Sequence, residues 1–185
     1  LVVGGSGGWD SALTITLCCM TGLEVYAVTM PLRSGKDDHM KAVQHLSWLS
    51  DRFPERVHSV VIPLERSFNE FGKVLQMEDF ENAHAYANTK SRLRMTCLYH
   101  IAACMDGLVV GTGNKVEDFG VGFFTKWGDG GVDLSPIGDL FKSEVQDLAL
   151  VLGIDEEIVL QERTGGEREG GRTDEKKLKM SYEDL

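Results

Sequence analysis

Leu1-Val2-Val3-Gly4-Gly5-Ser6-Gly7-Gly8-Trp9-Asp10-Ser11 is the stretch on which the fold turns. Its apolar opening has strand character and runs straight into a glycine-rich turn. A helical pattern follows, with Leu13, Leu17 and Met20 predicted on one side. Strand, glycine turn and helix start together aim backbone N–H groups and the positive end of a helix at an anion. Glycine lets the main chain take positive φ and come close to a ligand with no Cβ in the way. The loop lacks the lysine of a GxxxxGK[ST] phosphate loop, and its glycine spacing is not GxGxxG. An acid, Asp10, stands at the helix start instead, a position suited to a divalent cation shared between a carboxylate and phosphate oxygens.

Working outward, the 185 residues suffice for one domain with a full core, and 42% hydrophobic with 26% charged residues is ordinary globular composition. No stretch approaches the ~18 apolar residues that cross a bilayer, so no membrane partner is expected. A net charge of −10 argues against a nucleic-acid surface, because phosphate backbones would be repelled. Cys18, Cys19, Cys97 and Cys104 show no CxxC spacing and read as reduced, buried packing residues of a cytoplasmic protein. The five histidines (His39, His45, His58, His84, His100) lack metal or triad spacing and read as helix-surface or partly buried packing residues.

Short apolar strands alternate with amphipathic helices, which predicts an α/β fold: a doubly wound parallel sheet with helices on both faces. Strands are expected at Leu23–Met30, Val57–Leu64 and Leu108–Val110. Helices are expected at Lys36–Asp51 (apolar stripe Ala42, Val43, Leu46, Leu49), after the Val57–Leu64 strand that Pro63 ends and through Val74, at Asn82–Met105 (Leu93, Leu98, Ile101 and Ala102 inward) and at Asp139–Leu152. Leu134 to Pro136 completes the pattern. Residues 111–133 form a long glycine-rich loop carrying Phe123, Phe124 and Trp127, and loops of that length are usually functional. Residues 162–179 hold eleven charged residues and four glycines and read as a mobile tail or lid. The chain starts on a core strand and stops just after a helical start at Ser181-Tyr182-Glu183, so flanking segments are expected to be absent from both ends of this single domain, 1–185.

Ser6-Gly7-Gly8-Trp9-Asp10-Ser11 resembles the SGGxDS loop of the ATP pyrophosphatases, which cleave ATP between the α and β phosphates. Three further strings narrow the resemblance: Asn88-Thr89-Lys90-Ser91-Arg92-Leu93-Arg94-Met95, Gly111-Thr112-Gly113-Asn114-Lys115-Val116-Glu117, and Phe123-Phe124-Thr125-Lys126-Trp127-Gly128-Asp129-Gly130-Gly131-Val132-Asp133. With the spacing to Lys142 and to Thr164…Gly171-Arg172-Thr173-Asp174-Glu175, they are similar to ammonia-dependent NAD synthetase over nearly the whole chain.

The resemblance implies a two-step reaction with ATP as co-substrate and Mg²⁺. The carboxylate of deamido-NAD attacks the α-phosphorus of ATP, giving an adenylate and pyrophosphate; ammonia then displaces AMP. It implies that Gly4, Gly5, Ser6, Gly7, Gly8, Trp9, Asp10 and Ser11 hold ATP together with Thr112, Lys142 and Thr164. Asp10 and Glu117 are the natural Mg²⁺ ligands, hard oxygens from two strand ends. Arg92, Lys126 and Asp133 fall at positions that hold deamido-NAD, and the family places that site across the interface of a homodimer. Asp133 or Asp129 could accept the proton that ammonium loses before it attacks. From spacing alone the plain readings stay open: a loop acid for Glu117, a helix-surface arginine for Arg92, a snorkelling lysine for Lys126 and a turn acid for Asp133. Phe123 and Trp127 pack either on the substrate ring or in the loop, and Phe124 reads as core.

The chain also departs from the family. Where the family reads Thr-Asp-Gly-Leu-Trp after the last core helix, this chain has Thr164-Gly165-Gly166-Glu167-Arg168, and the family's C-terminal His-Lys pair has no counterpart before Leu185. Two other readings therefore stand beside the ligase: an ATP- and Mg²⁺-binding relative that has lost turnover, and another ATP pyrophosphatase such as a tRNA-modifying enzyme, which the acidic balance disfavours.

Overall fold

Successive side chains of a strand leave on opposite faces, and in the first strand this sends Val2 to one core and Val3 to another. A computed structural model of the chain describes residues 1–32 and 36–160. The strands are β1 (Val2–Gly5), β2 (Val25–Thr29), β3 (Val57–Val61) and β4 (Val109–Val110). The helices are α1 (Trp9–Met20), α2 (Lys36–Arg52), α3 (Glu65–Met77), α4 (Ala83–Cys104), α5 (Lys142–Val151) and the short α6 (Glu156–Val159). All strand pairs are parallel and the order is β3-β2-β1-β4. The chain winds outward from β1 to β3, then crosses back to lay β4 on the other side of β1. Loops leaving β1 and β4 consequently part in opposite directions, opening a crevice at their carboxyl ends.

On one face Val2, Val28 and Val109 meet Phe68 of α3 and Met95, Leu98 and Ala102 of α4. On the other, Val3, Ala27 and Val110 meet Ile15 and Cys18 of α1 and Leu46 and Leu49 of α2. A third cluster packs Trp9 and Leu13 of α1 against Val145 and Ala149 of α5 and Ile158 of α6. Helix α1 is thus covered on both sides, which explains why its sequence is apolar nearly all round. Each large side chain so buried contributes about 1.5–3 kcal/mol.

The doubly wound parallel architecture expected from the sequence is the one found, with several local differences. Met20 and Val43 are exposed, because α1 and α2 turn those positions to solvent. Residues 111–133 include a π-helical turn, Lys115–Gly120, and Leu134 makes only an isolated bridge to Val110. Phe124 does not enter the core: it is exposed, with its ring against Gly130. Cys18 and Cys19 are buried as expected, and burial raises their thiols to about 11 and about 12; Cys104 is exposed. Thr164, the 162–179 segment and the Ser181 helical start lie outside the described residues.

His45 is more deeply buried than the surface or partly buried reading expects. It is buried under α1, with Nε2 3.1 Å from the Ala12 carbonyl and 3.3 Å from Thr16 Oγ1. Burial lowers its pKa from 6.5 to about 4. The folded chain keeps the ring neutral at a pH where the unfolded chain protonates it. Its contribution is therefore complete above pH 6.5 and is lost progressively as pH falls towards 4. Thermal unfolding of the chain and of His45→Gln at pH 7.5 and pH 5 tests this. The variant should lose less stability across that interval, by on the order of 2 kcal/mol.

Candidate active site

Main-chain geometry builds the first wall of the crevice. Gly7 has φ +88°, and a Cβ there would lie 2.1 Å from the Asp38 carbonyl oxygen, so no other residue fits. The serine hydroxyls hold the turn. Ser11 Oγ donates to the Gly8 carbonyl at 2.9 Å and accepts from the Ser6 amide at 3.1 Å, and the Ser6 and Ser11 hydroxyls are 3.0 Å apart. The Gly8 amide donates to Ser6 Oγ at 3.3 Å. The loop between β1 and the start of α1 is thus preformed.

Charge is gathered immediately beside it. Asp10, in the first turn of α1, is buried, and Lys142 reaches it from the first turn of α5. Lys142 Nζ donates to Asp10 Oδ1 and Oδ2 at 3.0 and 2.9 Å and to Glu117 Oε1 at 2.8 Å. The lysine is only 2% exposed. Its Nζ also lies 5.2 Å from the centre of the Trp9 ring, a cation–π approach. A helix N-terminus is an unfavourable place for a cation, and the two carboxylates are what make this one tenable. Asn114, which is fully buried, fixes the arrangement. Its side-chain amide donates to Asp10 Oδ1 at 3.1 Å, while its carbonyl oxygen accepts from the Glu117 amide at 3.1 Å and starts the π-helical turn.

A cavity of about 110 Å³ opens against this cluster, lined by Ser6, Asp10, Ser11, Thr112, Gly113, Glu117, Asp118, Phe123 and Asp129. The structure thus brings the glycine loop, Thr112, Asp10, Glu117 and Asp129 together, with Lys142 bonded to two of the lining acids. Asp118 is a member that the sequence reading missed. Its carboxyl is raised to about 6, first by burial and then by Asp129, Glu117 and Asp10, with Lys142 opposing. A Cβ on Gly113 would lie within 2 Å of that carboxyl group, so glycine is required for it to fold over the backbone. Neighbouring residues on a regular helix do not face one another, so adjacency to Glu117 carried no signal. Among the described residues no group of three or more His, Cys, Asp or Glu forms a metal-binding cluster.

One face of α4 grips the far wall. At Asn88, Ser91 and Arg92, spaced one helical turn, three contacts hold the 123–131 loop. Thr125 Oγ1 donates to Asn88 Oδ1 at 2.8 Å, and Arg92 Nε donates to the Lys126 carbonyl at 3.1 Å. Ser91 and Asp129 bond reciprocally: the hydroxyl donates to Asp129 Oδ1, and the Asp129 amide donates to Ser91 Oγ at 3.0 Å. Oδ1 also accepts from the Thr125 amide at 3.1 Å. At the loop's tip Trp127 is 73% exposed and has φ +62°, a strained conformation for a non-glycine residue.

Asp133 is not brought into the cavity. Its Oδ1 accepts from Tyr99 Oη at 3.0 Å and its Oδ2 from the Val109 amide at 2.9 Å, so the carboxylate ties the chain to α4 and β4. Arg92 meets the Lys126 carbonyl, and Asp133 meets Tyr99 about two turns further along α4. Removing the Ser91 hydroxyl should free the loop without touching the ion cluster. In Ser91→Ala, amide hydrogen exchange should accelerate about tenfold or more in 123–131, as loss of ~1.4 kcal/mol of protection would give, and stay unchanged in α5.

Comparison with known proteins places this geometry. A sequence model of the NAD synthase family matches residues 1–185. The NH(3)-dependent NAD(+) synthetase of Carboxydothermus hydrogenoformans is 39% identical over 188 residues, covering 100% of this chain and 74% of that protein. Among solved structures, NMN synthetase from Francisella tularensis superposes with a TM-score of 0.89 at 30% identity, over 98% of this chain and 73% of that one. The NH3-dependent NAD synthetase from Campylobacter jejuni, in complex with the nitrate ion, gives 0.76 at 32%, over 86% of this chain and 66% of that one. The chain belongs to the NAD synthase family.

Proposed function

We infer that the chain is a carbon–nitrogen ligase that uses ATP to amidate deamido-NAD with ammonia, releasing AMP and pyrophosphate and forming NAD. The observation that carries this reading is the convergence of Asp10, Glu117 and Lys142 beside a preformed glycine loop, in a member of the NAD synthase family. A carboxylate cannot be displaced as oxide, so it must first become an acyl adenylate. That step brings two anions together, and the residues at the crevice are suited to cancel the charge.

The amides and hydroxyls of Gly4, Gly5, Ser6, Gly7, Gly8, Trp9, Asp10 and Ser11 are assigned to the phosphates of ATP, with Thr112 beside them. Thr164, assigned with them from the sequence, lies outside the described residues. Asp10 and Glu117 fit Mg²⁺: both are hard oxygen donors already arranged about one cation, and Mg²⁺ commonly takes one or two carboxylates plus substrate phosphates. When bound, the ion would screen the phosphate charge. Arg92, Lys126 and Asp133 are assigned to deamido-NAD, beside α4, whose Arg92 holds the loop that carries the exposed Trp127.

Asp129 is the better acceptor for the proton that ammonium must lose. It lines the cavity, and among the described residues the hydrogen bonds to its side chain are taken by Oδ1, whereas both oxygens of Asp133 are engaged in holding the fold. A homodimer is supported by Phe71, Val74 and Met77, which form an exposed apolar face of α3 next to exposed Phe80. A cytoplasmic setting accords with four free cysteines. No helix among the described residues is long and apolar enough to cross a membrane.

The test is product analysis of the chain with ATP, Mg²⁺, ammonium and deamido-NAD. AMP, pyrophosphate and NAD should appear together. Nicotinate mononucleotide is the competing acceptor, given the NMN synthetase fold neighbour, and faster turnover on it would reassign the substrate. Asp129→Asn should cut amide formation by roughly 10²-fold or more while pyrophosphate release persists, and Asp133→Asn, at a position assigned to deamido-NAD, should slow pyrophosphate release and amide formation alike. Equal amide formation by Asp129→Asn and the parent chain would remove Asp129 from the chemistry.

A further inference from the structure

The ammonium group of Lys142 stands in hydrogen-bond contact with both oxygens of Asp10 and with one of Glu117. These are the carboxylates assigned to Mg²⁺, so the lysine and the metal call on the same oxygen atoms. A dication entering beside that ammonium would meet a like charge that water does not screen, because Lys142 is nearly inaccessible to solvent. Displacing the lysine with nothing to receive it would strand a buried cation against the Trp9 ring. A triphosphate in the adjoining glycine loop removes both obstacles. It supplies anionic oxygens for a displaced ammonium and further ligands for the metal.

We propose that Lys142 is a resident counter-ion that makes metal entry conditional on nucleotide: Mg²⁺ takes the Asp10–Glu117 pair only when a triphosphate draws the ammonium away. This rests on the assignment of those two acids as metal ligands. Lys142 then has two successive duties. In the nucleotide-free chain it neutralises and orients the carboxylates, and in the loaded chain it joins the phosphates. The exchange keeps free Mg²⁺ from occupying the site alone and ties metal occupancy to the presence of its co-substrate. Asn114 allows it, because its bonds hold the Asp10 carboxylate and the main chain of Glu117 in place while the lysine moves.

Mn²⁺ binding to the nucleotide-free chain, read by electron paramagnetic resonance of the free ion, provides the test. The parent chain should bind Mn²⁺ more weakly than about 1 mM, and Lys142→Gln at least tenfold more tightly. Lys142→Arg, which keeps the charge, should remain weak. Asp10→Asn in the Lys142→Gln background should abolish the gain. Tight Mn²⁺ binding by the parent chain without nucleotide overturns the proposal, and that arm needs no variant to fold. Equal affinities in the parent and Lys142→Gln chains overturn it as well. Should Lys142→Gln fold, as judged by near-ultraviolet circular dichroism, and its nucleotide-free Mn²⁺ affinity be unchanged by adding Asp10→Asn, the metal-ligand assignment itself fails.

Discussion

A lysine ammonium buried between two carboxylates is the constraint on which the crevice depends. Lys142 and Asp10 are both almost fully enclosed, and Glu117 is somewhat more exposed. Removing either partner of such a pair leaves a charge that water cannot reach, at about 3–5 kcal/mol. The trio therefore locks together three segments far apart in sequence: the start of α1, the π-helical turn and the start of α5. Its cost to folding is offset by position. Asp10 gains from the positive end of α1, and Asn114 supplies a further bond to it.

The sheet order explains why these segments meet. Because β1 lies between β2 and β4, the chain leaving β1 enters α1 while the chain leaving β4 passes to Asn114 and Glu117. The two loops flank one crevice at the carboxyl edge, as in other open α/β sheets. Helix α4 then serves a second purpose beyond packing Leu98 and Ala102 into the core. Its Asn88–Ser91–Arg92 face holds the loop that carries Asp129 and Trp127. The parts expected to bind and to react are thus mounted on elements fixed by the core.

Legibility in the sequence followed the range of the physics involved. The β1 loop could be read because glycine requirement is local: Gly7 needs its positive φ whatever lies beyond. The alternating strands and helices, hence the doubly wound sheet, followed from periodicity, and the motifs of residues 88–95, 111–117 and 123–133 carried the family. Side-chain pairings across elements could not be read this way. Nothing in the spacing of Asp10, Glu117 and Lys142 announces that one ammonium joins them, nor that Asn114 braces two of them. Ser91 looked like a helix residue among others until the loop folded over it. Asp133 was assigned chemistry by its motif, but its two oxygens are occupied by Tyr99 and the Val109 amide. Met20 and Val43 were grouped with apolar stripes, and Phe124 with the core, by apolarity alone, which decides burial poorly at helix ends and in loops.

A double-mutant cycle on Asp10→Asn and Lys142→Met, followed by denaturant unfolding of the nucleotide-free chain, tests the central interaction most directly. With the ions coupled as described, each single change should destabilise strongly, and the double variant should be more stable than the sum of the two by about 2 kcal/mol or more. Additive losses within about 0.5 kcal/mol would contradict it, since Asp10 and Lys142 would then be ordinary neighbours rather than the charge pair that holds the crevice together.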